Sequence, residues 1–197
     1  MPSFADDFNR ANATSIGTPS DAGAVYAGAT TLYGTTGNEL YSSGVVGWAN
    51  PLWRESSSAA GELFITLRAI NSMSSGLVFR LVDSSNYLLA QFTPTAMFLW
   101  QRVAAGFTQI GSTYTGTVSV GDLISVAFNG SSLSLRQGGV QRVSGTSSTH
   151  LTATKHGFVE NNGNSCRYDE LNFVDAGGAP TPSLIYLQPA MGPLLVR

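Results

Sequence analysis

Gly76-Leu-Val-Phe-Arg-Leu-Val-Asp-Ser-Ser-Asn-Tyr-Leu-Leu-Ala-Gln-Phe92 is the stretch whose reading decides the fold of this chain. Apolar, β-branched and aromatic residues flank Asp83, Ser84, Ser85 and Asn86, whose short polar side chains favour a turn over ladder pairing. The stretch reads as a β-hairpin. At a period of two, Leu77, Phe79 and Leu81 share one face while Val78, Arg80 and Val82 share the other. One face is wholly apolar and the other only partly so, which marks a sandwich strand with its better face inward.

Strand signals continue on both sides of this hairpin. Residues 62–70 set Leu63, Ile65, Leu67 and Ala69 against Phe64, Thr66, Arg68 and Ile70. Residues 97–103 and 107–111 read as a second hairpin across Ala104, Ala105 and Gly106. Residues 123–128, 132–137 and 140–143 read as a meander. Its first turn, Asn129-Gly130, suits a type I′ geometry with positive φ at both residues, and Gly138-Gly139 makes the second. Weaker strands are expected at 4–8, 24–33 and 37–41, and the last two at 154–159 and 166–174. The segment 42–58, holding Trp48, Pro51 and Trp53, is the least regular and reads as a surface loop. No apolar stripe of helical period persists over three turns, so almost no helix is expected. Roughly a dozen short strands at this spacing predict an all-β, two-sheet antiparallel sandwich of the jelly-roll kind.

Composition narrows the function. The chain has 197 residues, enough for one β domain, with 22 glycines and only 11% charged residues. A net charge of −2 supplies no basic field for phosphates, which argues against nucleic-acid binding. No apolar run approaches the ~20 residues of a transmembrane helix. The start, Met-Pro-Ser-Phe-Ala-Asp-Asp, lacks a basic region followed by an apolar one, so the expectation is synthesis in a host cytoplasm without a signal peptide. Cys166 is the single cysteine, which excludes an intrachain disulfide; a buried, inert thiol is expected.

Beyond Asp175 the character changes. Residues 1–175 read as the domain and 176–183 as a Gly/Pro linker. Residues 184–197 read as an apolar C-terminal arm carrying Leu184, Ile185, Tyr186, Leu187, Met191, Leu194, Leu195 and Val196. Its prolines exclude a helix, and its apolar side chains call for a surface to cover them. Docking on its own domain and strand addition to a neighbouring subunit both answer that need, with the lean toward assembly.

The opening Phe4-Ala-Asp-Asp-Phe-Asn-Arg-Ala-Asn12, Gly37-Asn-Glu-Leu-Tyr41, the hairpin stretch, Gly121-Asp122 and Arg167-Tyr-Asp-Glu-Leu171 together resemble the concanavalin A-like, or laminin G-like, jelly-roll domains. Such domains occur in secreted actinobacterial sugar-active proteins and in structural proteins of tailed bacteriophages. The resemblance covers about residues 4–175 and implies that the first and last strands lie side by side. It also implies a calcium site as one option, with Asp6, Asp7, Asp169 and Glu170 as its candidate ligands.

Catalysis is not expected. Glycoside hydrolysis needs two carboxyl groups facing one cleft, and the Glu-x-Asp-x-x-Glu cluster of glucanases sharing the fold is missing. The paired acids Asp6-Asp7 and Asp169-Glu170 are thrown onto opposite faces by alternation. His150 and His156 read as a loop residue and a strand residue. Two binding roles follow. The first is a non-enzymatic virion protein, a head decoration or minor tail protein. It docks on capsid or tail proteins through the arm, and it is homo-oligomeric, trimeric if it follows decoration proteins. The second is a carbohydrate-binding module for a host-surface glycan, with Tyr26, Tyr33, Tyr41, Trp48 and Trp53 as stacking candidates. Tyr87 and Trp100, inside regular strands, read as core or interface residues.

Overall fold

The structure is a computed structural model that describes residues 3–21, 23–42, 47–70, 74–161 and 166–177. Those residues form fifteen strands and no helix. One sheet runs β13 (Val140–Thr146), β12 (Ser132–Gln137), β11 (Leu123–Asn129), β6 (Gly61–Ala69), β15 (Arg167–Asp175), β4 (Glu39–Ser42) and β3 (Tyr33–Thr36), with β1 (Phe4–Asp6) also paired to β15. The other runs β10 (Gly106–Thr115), β9 (Ala96–Val103), β8 (Asn86–Thr93), β7 (Ser74–Asp83), β14 (Lys155–Asn161), β5 (Leu52–Glu55) and β2 (Ala27–Gly28). All pairings are antiparallel, and the first and last strands adjoin as expected, with Phe4 opposite Phe173.

The core lies between the sheets. Leu63, Ile65 and Leu67 of β6 and Val126 and Phe128 of β11 face Leu77, Phe79, Leu88, Ala90 and Leu99 of the other sheet. Phe79 stacks on Phe128 at 4.8 Å between ring centroids, and Phe128 in turn lies 6.0 Å from Phe173. Burying such rings supplies most of the driving force for closing the sandwich. Cys166 is buried, as its surroundings in sequence suggested.

The deciding hairpin forms, with β7 and β8 joined across Ser84 and Ser85, but its alternation breaks at Arg80. Arg80 takes a positive φ of 50°, and the register with β8 shifts between Phe79 and Asp83. The extra residue of this bulge turns Leu81 away from the core, to join Val78, Tyr87, Leu89 and Val159 on the outer face. Arg80 goes inward instead, buried over the Phe128 ring at 5.3 Å with its Nε donating to the carbonyl of Ala59 at 2.9 Å. Strict alternation had placed these two residues on the opposite faces.

Two turns also depart from expectation. Between β11 and β12 the loop is Gly130-Ser131, and only Gly130 has positive φ, so the geometry is of the II′ kind rather than I′. Between β9 and β10, Ala104 and Ala105 both take positive φ, at 48° and 67°. The neighbouring turn holds them there: Ala104 N–H donates to Asn86 Oδ1 and Ala105 N–H to the Ser85 carbonyl, each at 3.0 Å. The arm at residues 184–197 and most of the linker lie outside the described residues.

Candidate functional site

The outer face of the seven-stranded sheet carries an unusual concentration of aromatic rings. Strand β9 is apolar on both sides: Met97 and Leu99 enter the core while Phe98 and Trp100 point out and stay half-buried. Cross-strand pairing sets Trp100 opposite Leu89, Gln91 opposite Phe98, and Arg102 between Tyr87 and Phe107. Phe107 stands edge-on to Trp48 at 6.1 Å and to Trp100 at 6.3 Å. Trp48, Leu89, Gln91, Trp100 and Phe107 enclose a hollow of about 170 Å³.

The strands alone do not build this hollow, because Trp48 comes from a loop. Its main chain is pinned by two groups from the sheet: the Tyr87 hydroxyl donates to the Trp48 carbonyl at 2.6 Å, and Arg102 Nη1 donates to the same oxygen. Arg102 is itself fixed by the Tyr87 hydroxyl at 3.0 Å and lies over the rings of Tyr87 and Phe107. Trp100 Nε1–H donates to Gln91 Oε1 at 2.6 Å, which orients the amide and leaves Gln91 Nε2 without a partner among the described residues. A ring-walled hollow with one oriented amide suits a ligand with apolar faces and hydroxyl edges.

Among the described residues, no carboxylate lines the Trp48–Trp100 hollow. Outward positions around it include Gly76, Val78 and Leu81 on β7, Tyr87, Leu89 and Gln91 on β8, Phe98, Trp100 and Arg102 on β9, Lys155, Gly157 and Val159 on β14, and Trp53 and Glu55 on β5. The nearest acids, Asp83 and Glu55, lie at the ends of strands and are tied to turns. Asp83 accepts from Ser85 N–H at 2.8 Å, which holds its carboxyl below the usual range; Glu55 is also held low, burial being outweighed by hydrogen bonds from the Thr154 side chain and from Ser57 N–H at 3.0 Å.

The residues proposed from sequence are scattered. Trp53 is not in a loop but on β5, half-buried beneath the Lys155 ammonium at 4.5 Å. Trp48 is in a loop, as expected. Tyr26 and Tyr33 are core residues: the Tyr26 hydroxyl donates to Asp6 Oδ2 at 2.8 Å and the Tyr33 hydroxyl to the Asn50 carbonyl at 3.2 Å. Tyr41 lies on the other sheet under Arg167. Trp100 lies on the outer face, not in the core, and Phe98, Phe107 and Gln91 were missed. The doubled apolar alternation of 96–103 is the sequence signal that marks them.

The four acids do not converge on a cation site. Asp6 is fully buried and accepts from Arg10 through both oxygens, at 2.8 and 2.7 Å, as well as from Tyr26 and Phe8 N–H. Asp7 caps Asn9 N–H. A bulge at Glu170, with φ of 57°, defeats alternation in β15 and sends both Asp169 and Glu170 outward, where Arg68 and Thr66 hold them. Among the described residues no group of three or more His, Cys, Asp or Glu is placed to hold a metal ion.

No family model and no curated protein matches the chain. Solved structures do. A carbohydrate binding module, CBM66, from Bacillus subtilis superposes with a TM-score of 0.57 at 11% identity, covering 75% of this chain and 92% of that one. A prokaryotic β-1,3-1,4-glucanase (lichenase) from a mouse hindgut metagenome gives 0.57 at 8%, covering 88% and 99%. The fold is the concanavalin A-like jelly roll. The GH43 protein BlXynB from Bacillus licheniformis matches with a TM-score of 0.57 at 13% identity over 86% of this chain, which spans only 37% of that protein. At such identities the likeness is one of architecture.

Proposed function

We propose that this domain is a non-catalytic carbohydrate-binding module that takes its glycan on the outer face of the seven-stranded sheet. The observation that carries the reading is the hollow in which Trp48, Trp100 and Phe107 present rings around the oriented amide of Gln91. Sugar rings offer apolar C–H faces to such rings and hydroxyls to such an amide. The carbohydrate binding module among the similar structures supports the same class of ligand. Glycosidic cleavage requires two facing carboxyl groups, and among the described residues none lines this hollow, which supports binding without turnover. The virion role suggested by the C-terminal arm gains no support from the structures named above, and the arm lies outside the described residues.

The test is titration calorimetry against a panel of plant, algal and bacterial polysaccharides, with release of reducing ends followed in parallel. Binding without release is expected. Trp100→Ala is expected to weaken it at least about tenfold with the melting temperature nearly unchanged, since a half-exposed ring at the centre of a contact contributes far more to binding than to folding. A panel without a binder, or full affinity in Trp100→Ala, would refute the reading.

A further inference from the structure

A hollow of about 820 Å³ lies on the other side of the molecule, on the outer face of the eight-stranded sheet. Two adjacent rows of the pairing register build it. Asn172, Phe64, Ser125, Arg136 and Gln141 pair in one row across β15, β6, β11, β12 and β13, and Val174, Glu62, Ala127, Ser134 and Ser144 pair in the next. These residues point outward because those between them, Phe173, Leu63, Val126, Leu135 and Val143, fill the core. The groove is open to solvent. Gln141 and Ser144 are exposed, and the side chains of Glu62 and Arg136 are 35% and 34% accessible.

Its polar groups are held in place by one another. Ser125 Oγ donates to Glu62 Oε1 at 2.7 Å, and Arg136 Nη1 reaches both Glu62 oxygens at 3.2 and 3.3 Å. Arg136 Nε donates to Ser134 Oγ at 3.3 Å, and Ser134 Oγ donates to Gln141 Oε1 at 2.8 Å. This leaves Arg136 Nη2 and Gln141 Nε2 without a hydrogen bond among the described residues, and Glu62 with spare lone pairs. A carboxylate beside a guanidinium offers an acceptor and a donor to two neighbouring hydroxyls of a sugar ring, each of which both donates and accepts. Phe64, half-buried and the one aromatic ring in the two rows, suits the C–H face of the same sugar. The other carboxylate at the groove, Asp175, is tied by the Ser58 hydroxyl at 2.8 Å and the Gly177 N–H at 3.3 Å.

We infer that this groove is a second glycan-binding site, on the face opposite the first, so that one domain holds two separate sugar chains. Phe64 carries the ring of one unit, and Glu62, Arg136 and Gln141 take its hydroxyls. The class of ligand rests on the carbohydrate reading above, but the groove shares no residue with the Trp48–Trp100 hollow.

The experiment is an amide NMR titration with tetrasaccharides from mixed-linkage β-glucan, laminarin and xylan, beside the polysaccharide panel. Two separate sets of shifted amides are expected, one around Trp48, Trp100 and Phe107 and one around residues 62–64, 134–136 and 141–144. Trp100→Ala is expected to weaken the first set and keep the second. Arg136→Leu is expected to weaken binding at the second by at least about tenfold with the first unchanged, which also shows that the variant is folded. Gln141→Ala, at an exposed position, is expected to act in the same direction by about threefold. Shifts confined to the Trp48–Trp100 face, or a second set unchanged in both groove variants, overturn the second site and leave the first standing. Shifts at the groove alone refute the first and leave the second. Release of reducing ends that disappears in Glu62→Gln would make the groove an active site and overturn its binding role. No shift with any tetrasaccharide and no binder in the panel removes both sites.

Discussion

The backbone N–H of Arg80 donates to Nδ1 of His156 at 3.1 Å, across the bulge that displaces Arg80 from the β7 ladder. The other ring nitrogen of His156 reaches the Ser58 carbonyl at 2.8 Å, so the neutral imidazole with its proton on Nε2 satisfies both contacts. Protonation would place a second proton against the Arg80 N–H. Phe128 and Phe173 close over the ring, at 5.0 and 4.6 Å, and exclude water. Burial, aided by the nearby Arg80 charge, pushes the His156 pKa down to about 4 from 6.5.

The sign of the pH dependence follows. Between pH 6.5 and 4 the unfolded chain binds a proton at this position that the folded chain does not, so stability is complete above 6.5 and declines as pH falls toward 4. The loss attributable to His156 is about 3 kcal/mol at the lower end. Urea unfolding at pH 7.0 and 4.5 is expected to show it. His156→Leu, less stable at pH 7 because two polar partners lose their bonds, is expected to have a shallower pH dependence over that interval. An equal slope in the variant would contradict the assignment.

The β9–β10 turn offers a stabilising change. Alanine in the left-handed region costs about 1–2 kcal/mol per residue relative to residues that visit it freely, and Ala104 and Ala105 both sit there. Only their backbone N–H groups are used by the neighbouring turn. Ala104→Asn with Ala105→Gly is therefore expected to raise the melting temperature by several degrees, as read by calorimetry, without altering glycan binding.

Gly157 is the reverse case. A Cβ there meets the Leu52 carbonyl and the Trp53 backbone, neither of which can move without breaking the β5–β14 pairing. Gly157→Ala is expected to cost about 2–3 kcal/mol in chemical unfolding.

Asp6 is a structural anchor. It receives Arg10, Tyr26 and the Phe8 N–H, and its own carboxylate is fully buried. Asp6→Ala leaves the Tyr26 hydroxyl and the Phe8 N–H buried without this acceptor and strips Arg10 of its ion pair, and is expected to cost about 3–5 kcal/mol. With the carboxylate so occupied, melting curves recorded in millimolar calcium and in EDTA are expected to coincide.

Sequence by itself determined the architecture. Alternating apolar residues separated by Gly, Asn and Ser turns leave two packed sheets as the one arrangement that buries them all, and the hairpin at 76–92, the meander at 123–146 and the adjacency of the first and last strands follow from that. The tertiary structure alone decided which way particular side chains face. One inserted residue reverses every side chain beyond it, and the bulges at Arg80 and Glu170 show in the registers with the distant strands β14 and β6, which local periodicity does not record. The binding face was hidden for the same reason. Trp53 lies far from Trp100 in the chain, and strand order sets the two on one sheet, while Trp48 reaches Phe107 only through the tertiary fold.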